Sequence, residues 1–263
     1  MSHTIDLSGK VAIVTGSSRG LGRSMAKALA HAGADVVVTS RTQKSLNPVC
    51  DEITATGSKV LGLELDVRQE SSIRGMADRV LDHFGQIDIL VNNAGTNVRR
   101  PAVELSWEDW DTVLDTNLKA VFFCAQAVAP HMLQRGQGRI INIGSATNVM
   151  AYPRITAYCA SRGGVGQLTK SLASEWGPSG VTVNVLAPGW FRTEQTRVLW
   201  ENDQWMEMMR TRIPGGRVGE PEELGGAVVY LASDEAAYVN GTIMMIDGGF
   251  TTGGASDTIP LPG

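Results

Sequence analysis

The stretch Val11-Ala12-Ile13-Val14-Thr15-Gly16-Ser17-Ser18-Arg19-Gly20-Leu21-Gly22 sets the architecture of the chain. A short apolar run, Val11 to Thr15, ends in a glycine-rich turn, and Leu21 to His31 then carries apolar residues at helical spacing until Gly33 stops it. Strand, turn and helix in that order give the turn its meaning, because its glycines let backbone amides approach a pyrophosphate placed at a helix N-terminus. In a chain with 30 glycines the turn alone would carry little.

After that helix, Asp35 to Thr39 is β-branched and reads as buried on both faces, and comparable runs recur at Val60 to Leu65, Ile87 to Val91, Arg139 to Ile143, Val181 to Leu186 and Thr242 to Ile246. Between them, Ser71 to Phe84, Trp107 to Arg135, Ala157 to Trp176 and Glu222 to Ala232 are long enough for helices. The alternation predicts an α/β protein: a Rossmann-type, doubly wound parallel sheet in a single domain over 1–250, with ligands at the carboxyl ends of the strands. Two stretches fall outside the alternation. Trp190 to Arg217, rich in Trp, Met and Arg, is expected to be a lid, and 251–263 a loose C-terminal tail.

Composition excludes several function classes. The 263 residues are 43% hydrophobic and 19% charged, the profile of a folded domain in water rather than a disordered chain. Lys+Arg at 23 against Asp+Glu at 27 leave a net charge of -4, with no basic excess for a nucleic-acid backbone. No apolar run approaches the ~20 residues of a membrane span, and Met1 to Lys10 lacks the apolar stretch of a signal peptide, so a cytoplasmic protein without membrane or nucleic-acid partners is expected. Cys50, Cys124 and Cys159 are widely spaced and read as reduced thiols. His3, His31, His83 and His131 lack metal-ligand spacing and read as surface residues.

The second strand ends in Ser40-Arg41, where an NAD-preferring fold usually places an acid for the adenosine ribose. Arg41, with Arg19 from the turn, can instead form a charged fork around a 2′-phosphate, so NADP(H) is favoured over NAD(H).

Further along, Asn92-Asn93-Ala94-Gly95 closes the fourth strand, Asn117 sits inside a helix, Ser145 follows the fifth strand and Tyr158 comes after it. Singly, Ser145 reads as a cap, Asn117 as a buried amide and Tyr158 as a packing aromatic. As an ordered set, with Asp66-Val67, Pro188-Gly189 and Asp247-Gly248-Gly249, they resemble the short-chain dehydrogenase/reductase family over Leu7 to Phe250. The resemblance implies a nicotinamide cofactor, no metal in the chemistry and a homotetramer. It also implies that Gly16, Ser18, Arg19, Gly20, Leu21 and Gly22 hold the pyrophosphate, and Arg41 the 2′-phosphate. Asp66 and Val67 flank the adenine, Asn93, Ala94 and Gly95 line the adenosine side, and Pro188, Gly189 and Thr193 bracket the nicotinamide. Tyr158 is the implied acid or base, Ser145 orients the substrate oxygen and Asn117 holds a proton-relay water.

Those residue types suit hydride transfer, in which the protein must give a proton to the carbonyl oxygen or take one from the alcohol. A phenol with a reference pKa of about 10 supplies little phenolate near neutrality, and a fixed cation beside it favours the charged form. The family uses a lysine one helical turn after the tyrosine, there also a cofactor contact; here that position is Arg162. Arginine keeps the charge, but its planar head does not reproduce an ammonium's contact with ribose hydroxyls. Besides a working enzyme, Arg162 therefore leaves open an impaired NADP(H)-binding protein.

Within the family, Asn92 to Pro101, Trp107-Glu108-Asp109-Trp110 and Pro214 to Glu223 look most like gluconate 5-dehydrogenases and related sugar-acid oxidoreductases. Arg99, Arg100, Arg154 and Arg192 are expected in loops at the strand carboxyl ends, where a guanidinium can clamp a substrate carboxylate. The alternative enzyme is a 3-oxoacyl thioester reductase. Trp200, Trp205, Met206, Met208 and Met209 have near-helical spacing and are expected to cover the substrate.

Overall fold

Successive side chains of a strand point to opposite faces of the sheet. In β1 (Val11–Val14) all four residues are buried, so both faces must be covered. They are: Ala12 and Val14 join one apolar cluster, Val11 and Ile13 a second on the other side. The structure, a computed structural model, describes residues 5–253. In chain order its main elements are β1, α1 (Gly20–His31), β2 (Asp35–Ser40), α2 (Asn47–Thr54), β3 (Val60–Glu64), α3 (Glu70–Phe84) and β4 (Ile89–Asn92). Then come α4 (Trp107–Leu114), α5 (Ala120–Arg135), β5 (Gly138–Ile143), α6 (Thr156–Trp176), β6 (Val181–Pro188), α7 (Arg197–Trp200), α8 (Asp203–Arg212), α9 (Gly225–Ala232) and β7 (Ile243–Ile246).

The strands form one seven-stranded sheet in the order β3-β2-β1-β4-β5-β6-β7, every neighbour parallel. This is the single-domain α/β Rossmann-type fold expected from the alternation. On one face Met25 and Leu29 of α1, Val49 and Ile53 of α2, and Val228 and Leu231 of α9 pack against Val36, Val38 and Ile141. On the other, Ile73 and Val80 of α3, Val128 and Met132 of α5, and Leu172 of α6 pack against Ile13, Val37 and Ile140. Each fully buried Leu, Ile or Met side chain contributes about 1.5–3 kcal/mol, so the two layers hold the sheet rigidly under whatever sits at its edge. Cys124 lies in the second layer, where burial pushes its thiol up to about 12.

Two elements differ from the sequence expectation. No helix was expected between β2 and β3, but α2 forms there, with Pro48 in its first turn and only Val49 and Ile53 buried. Two apolar contacts are too few for a periodic signal. The expected helix from Trp107 to Arg135 is interrupted by a π turn, Asp115–Lys119, which carries Asn117; such turns recur at functional sites. The remainder of the expected loose tail, 254–263, lies outside the described residues, as does His3. No helix among the described residues is long and apolar enough to cross a membrane.

Candidate active site

Winding starts at β1 in mid-sheet, runs out to β3 and returns to β4, so the topological switch falls between β1 and β4. The glycine-rich turn leaves β1 there. Ser17 is fully buried and stitches the turn to β2, donating its N–H to the Thr39 carbonyl at 2.9 Å and accepting the Thr39 N–H at 2.9 Å. Arg19 precedes α1 with extended backbone and no side-chain cap, and the first turn of α1 carries no acid. The helix thus presents unclaimed amides and its positive dipole end to the crevice. Gly22 is required by crowding: a Cβ there would stand 2.6 Å from the Gly16 carbonyl oxygen and collide with Asn93 Nδ2.

Asn93, just beyond β4, braces this turn. Its Nδ2 donates to the carbonyls of Thr15 (2.9 Å) and Gly16 (3.0 Å), while Thr15 Oγ1 accepts from the N–H groups of Asn93 (2.9 Å) and Ala94 (3.0 Å). The Thr15 hydroxyl was not singled out in the sequence, where it reads as the end of a strand. Thr193, beyond β6, reaches across to Gly20, whose Cβ would lie 3.9 Å from Thr193 Cβ. Gly189 is fixed beside β7 by its N–H to the Ile246 carbonyl (2.9 Å). Asp66 accepts the Arg68 N–H at 3.0 Å, and Val67 packs at the edge of the second apolar layer. Arg19 and Arg41 are exposed and have no carboxylate partner among the described residues.

Ser145, Tyr158, Arg162 and Asn117 come together around α6. Arg162 is 5% exposed and has no carboxylate partner among the described residues. Its guanidinium carbon lies 4.9 Å from the Tyr158 ring centroid, and Nη1 donates to the Ile143 carbonyl at 2.8 Å. Nε is enclosed without an acceptor. Nη2 lies beside Gly95, where a Cβ would stand 2.8 Å from it and 3.4 Å from Asn117 Oδ1. Asn117 is fully buried: Oδ1 accepts the Thr96 N–H at 2.8 Å, and Nδ2 donates to the Thr96 carbonyl (2.9 Å) and Ser161 Oγ (3.3 Å). Its carboxamide therefore ties the β4 loop to α6. Ser145, two residues beyond β5, is half-buried and caps a short turn, with Oγ accepting the Thr147 N–H at 3.2 Å.

The arginines named for a carboxylate separate into two groups. Arg100 pairs with Asp109 (3.0 Å) and Arg192 with Glu220 (3.2 Å). Arg99 and Arg154 have no such partner among the described residues. Arg154 takes a left-handed backbone, φ 69°, and its carbonyl accepts the Arg100 N–H at 2.9 Å, joining the loops after β4 and β5. A non-glycine residue in that region costs on the order of 1 kcal/mol or more.

The expected lid packs an aromatic wall. Trp190 meets Tyr152 and Trp205 edge-on at 5.7 and 5.1 Å, and Tyr152 stacks on Phe250 at 6.1 Å. Met206 and Met209 join this cluster, Met208 is exposed, and Trp200 donates its Nε1–H to the Thr193 carbonyl at 3.0 Å. Tyr152 was missed in the sequence because an isolated tyrosine in a loop carries no periodic signal. His131, expected at the surface, is half-buried with Nε2 enclosed, a correction arising from its packing beside Asp88 and Arg135.

A parallel sheet with a glycine-rich turn at its switch point and a tyrosine ring beneath a buried cation at the same edge defines a dinucleotide-type oxidoreductase. A family model described as enoyl-(acyl carrier protein) reductase matches residues 16–251. Gluconate 5-dehydrogenase of Gluconobacter oxydans is 44% identical over 95% of this chain and 99% of its own length. A 3-oxoacyl-(acyl-carrier-protein) reductase of Vibrio cholerae is 39% identical over 93% of this chain and 98% of its own. The crystal structure of a gluconate 5-dehydrogenase from Burkholderia cenocepacia, in complex with NADP and tartrate, superposes with a TM-score of 0.91 at 38% identity, covering 95% of this chain and 98% of that one. The chain belongs to the short-chain dehydrogenase/reductase family and is an oxidoreductase.

Proposed function

We propose that the chain is an NADP(H)-dependent oxidoreductase acting on the carbonyl or secondary alcohol of a keto sugar acid such as a ketogluconate. The observation that carries this reading is the buried Arg162 guanidinium, without a carboxylate partner among the described residues, lying over the Tyr158 ring with Nη2 close beside Gly95. The residues present fit the cofactor. Gly16, Ser18, Arg19, Gly20, Leu21 and Gly22 surround an uncapped helix N-terminus for the pyrophosphate. Arg41, with Arg19, takes the 2′-phosphate; Asp66 and Val67 flank the adenine. Asn93, Ala94 and Gly95 form one wall of the crevice, and Pro188, Gly189 and Thr193 the other. When bound, the nicotinamide supplies or takes up the hydride.

The chain's own work is proton movement and positioning. Tyr158 gives its proton to the substrate oxygen or receives one from it, and Ser145 holds that oxygen in place. The fixed charge of Arg162 stabilises the negative charge left on the phenol oxygen. Asn117, locked to Thr96 and Ser161, shapes the π turn at which a relay water is held. Arg99 and Arg154, free of carboxylates among the described residues, hold the substrate carboxylate; the Burkholderia relative binds tartrate, a small dicarboxylate.

Turnover of a ketogluconate with NADPH, beside its neutral amide or alcohol analogue, tests the reading. The neutral analogue should lose about tenfold or more in kcat/KM, as should Arg99→Ala or Arg154→Ala with the acid. An equally good neutral substrate removes the sugar-acid reading. The aromatic wall of Tyr152, Trp190 and Trp205 supports a second one, reduction of a 3-oxoacyl thioester, the activity named for the Vibrio relative. Preferential turnover of such a thioester would replace the first reading. A homotetramer is proposed as the working assembly. Val103 and Trp107, 95% and 86% exposed, offer apolar surface for a subunit contact, and sedimentation measures it.

A further inference from the structure

We infer that Asn148 is a positioning residue for Ser145, locking it in register with the helix that carries Tyr158 and Arg162; the inference rests on the catalytic reading proposed above. Ser145 and Asn148 close a loop on each other. Asn148 Oδ1 accepts the Ser145 N–H at 2.8 Å, and the Asn148 N–H donates to the Ser145 carbonyl at 2.9 Å. Both backbone polar groups of Ser145 are thus held by one residue, fixing its extended conformation at φ -166° and ψ 166°.

A capping interaction would need nothing more, yet the carboxamide does more. Asn148 Nδ2 donates to the Arg162 carbonyl at 2.6 Å, in mid-helix. Arg162 returns the link from its other end, Nη1 donating to the Ile143 carbonyl at 2.8 Å. The segment 143–148 is therefore stitched twice to one residue of α6, once on either side of Ser145. Sliding Ser145 relative to Tyr158 breaks one of the two stitches. The surroundings leave room for this amide and little else: a Cβ on Gly144 would collide with Oδ1, and one on Gly166 would stand 3.2 Å from Nδ2. Small displacements of a positioned group cost much in rate, up to about a hundredfold for 1 Å.

A double-mutant cycle separates positioning from a merely structural role, because residues acting through one another are non-additive. kcat is measured for the parent, Ser145→Ala, Asn148→Ala and the double variant, with cofactor Kd and Tm followed in parallel. Asn148→Ala should lose about tenfold or more in kcat with cofactor Kd nearly unchanged, and less than about twofold once Ser145 is already alanine. Asn148→Asp, of the same shape, keeps the acceptor for the Ser145 N–H and loses the donor to Arg162. It should show the same dependence on Ser145, and it serves if Asn148→Ala does not fold. Additive losses, or Asn148 variants with parental kcat, overturn the inference alone. A fully active Ser145→Ala overturns the catalytic reading, and the inference with it.

Discussion

The guanidinium of Arg162 lies over the ring of Tyr158, 4.9 Å from its centroid, with both residues on α6 one turn apart. The contact sets a broad, delocalised cation over the phenol ring, where a lysine would bring a compact ammonium on a different stem. Nη1 is spent on the Ile143 carbonyl, Nε is enclosed without an acceptor, and Nη2 lies against Gly95, where an added Cβ would stand 2.8 Å from it.

Charge and shape at this position therefore separate. Arg162→Lys keeps the charge and supplies a compact ammonium, and kcat should rise by about tenfold or more with a smaller change in cofactor affinity. Tyr158→Phe should abolish turnover and leave NADPH binding intact, since the ring remains for stacking. Steady-state kinetics with fluorescence titration of NADPH measure both. A loss of activity in Arg162→Lys would show a pocket adapted to the guanidinium.

Arg41 and Arg19 have no carboxylate partner among the described residues, and Arg41 follows β2 directly. Arg41→Ala should weaken NADPH binding by about 1.5–3 kcal/mol, the scale of a charge-assisted hydrogen bond, and barely affect NADH. Equal losses for both cofactors would remove the fork.

Two helical glycines should respond oppositely to alanine. Gly75 in α3 has nothing within 4 Å of an added Cβ, so Gly75→Ala should stabilise the fold by about 0.5–1 kcal/mol in denaturant titration. A Cβ on Gly22 would stand 2.6 Å from the Gly16 carbonyl oxygen, and Gly22→Ala should cost both stability and cofactor affinity. A Gly22→Ala protein that binds NADPH normally would show that the turn yields.

Burial, and then the charge of Arg135, hold the His131 imidazole below the ordinary histidine range, with Asp88 opposing. As pH falls through about 6.5 the unfolded chain takes up a proton that the folded chain resists, so stability is full above that value and declines below it. His131→Gln should flatten the fall in Tm between about pH 7.5 and pH 5.5. An unchanged slope would assign the decline to other groups.

The alternation of strands and helices is legible residue by residue, because burial on both faces of a parallel sheet leaves unbroken β-branched runs that need no tertiary information to be read. The turn from Thr15 to Gly22 and the order of Ser145, Tyr158 and Arg162 can be read in the same way, because these motifs are local or keep fixed order along the chain. The short helix Asn47–Thr54 stayed hidden, since two buried side chains make no period. Which side chains are left without a partner depends on how the loops meet in three dimensions. Arg100 and Arg192 look like Arg99 and Arg154 in the sequence, yet the first two are paired with Asp109 and Glu220 by loops that meet in space. The same holds for Asn148, whose bond to the Arg162 carbonyl spans two elements. Hydrogen bonds and ion pairs act over a few ångströms, and the distance between residues far apart in sequence is set by packing, not by spacing along the chain.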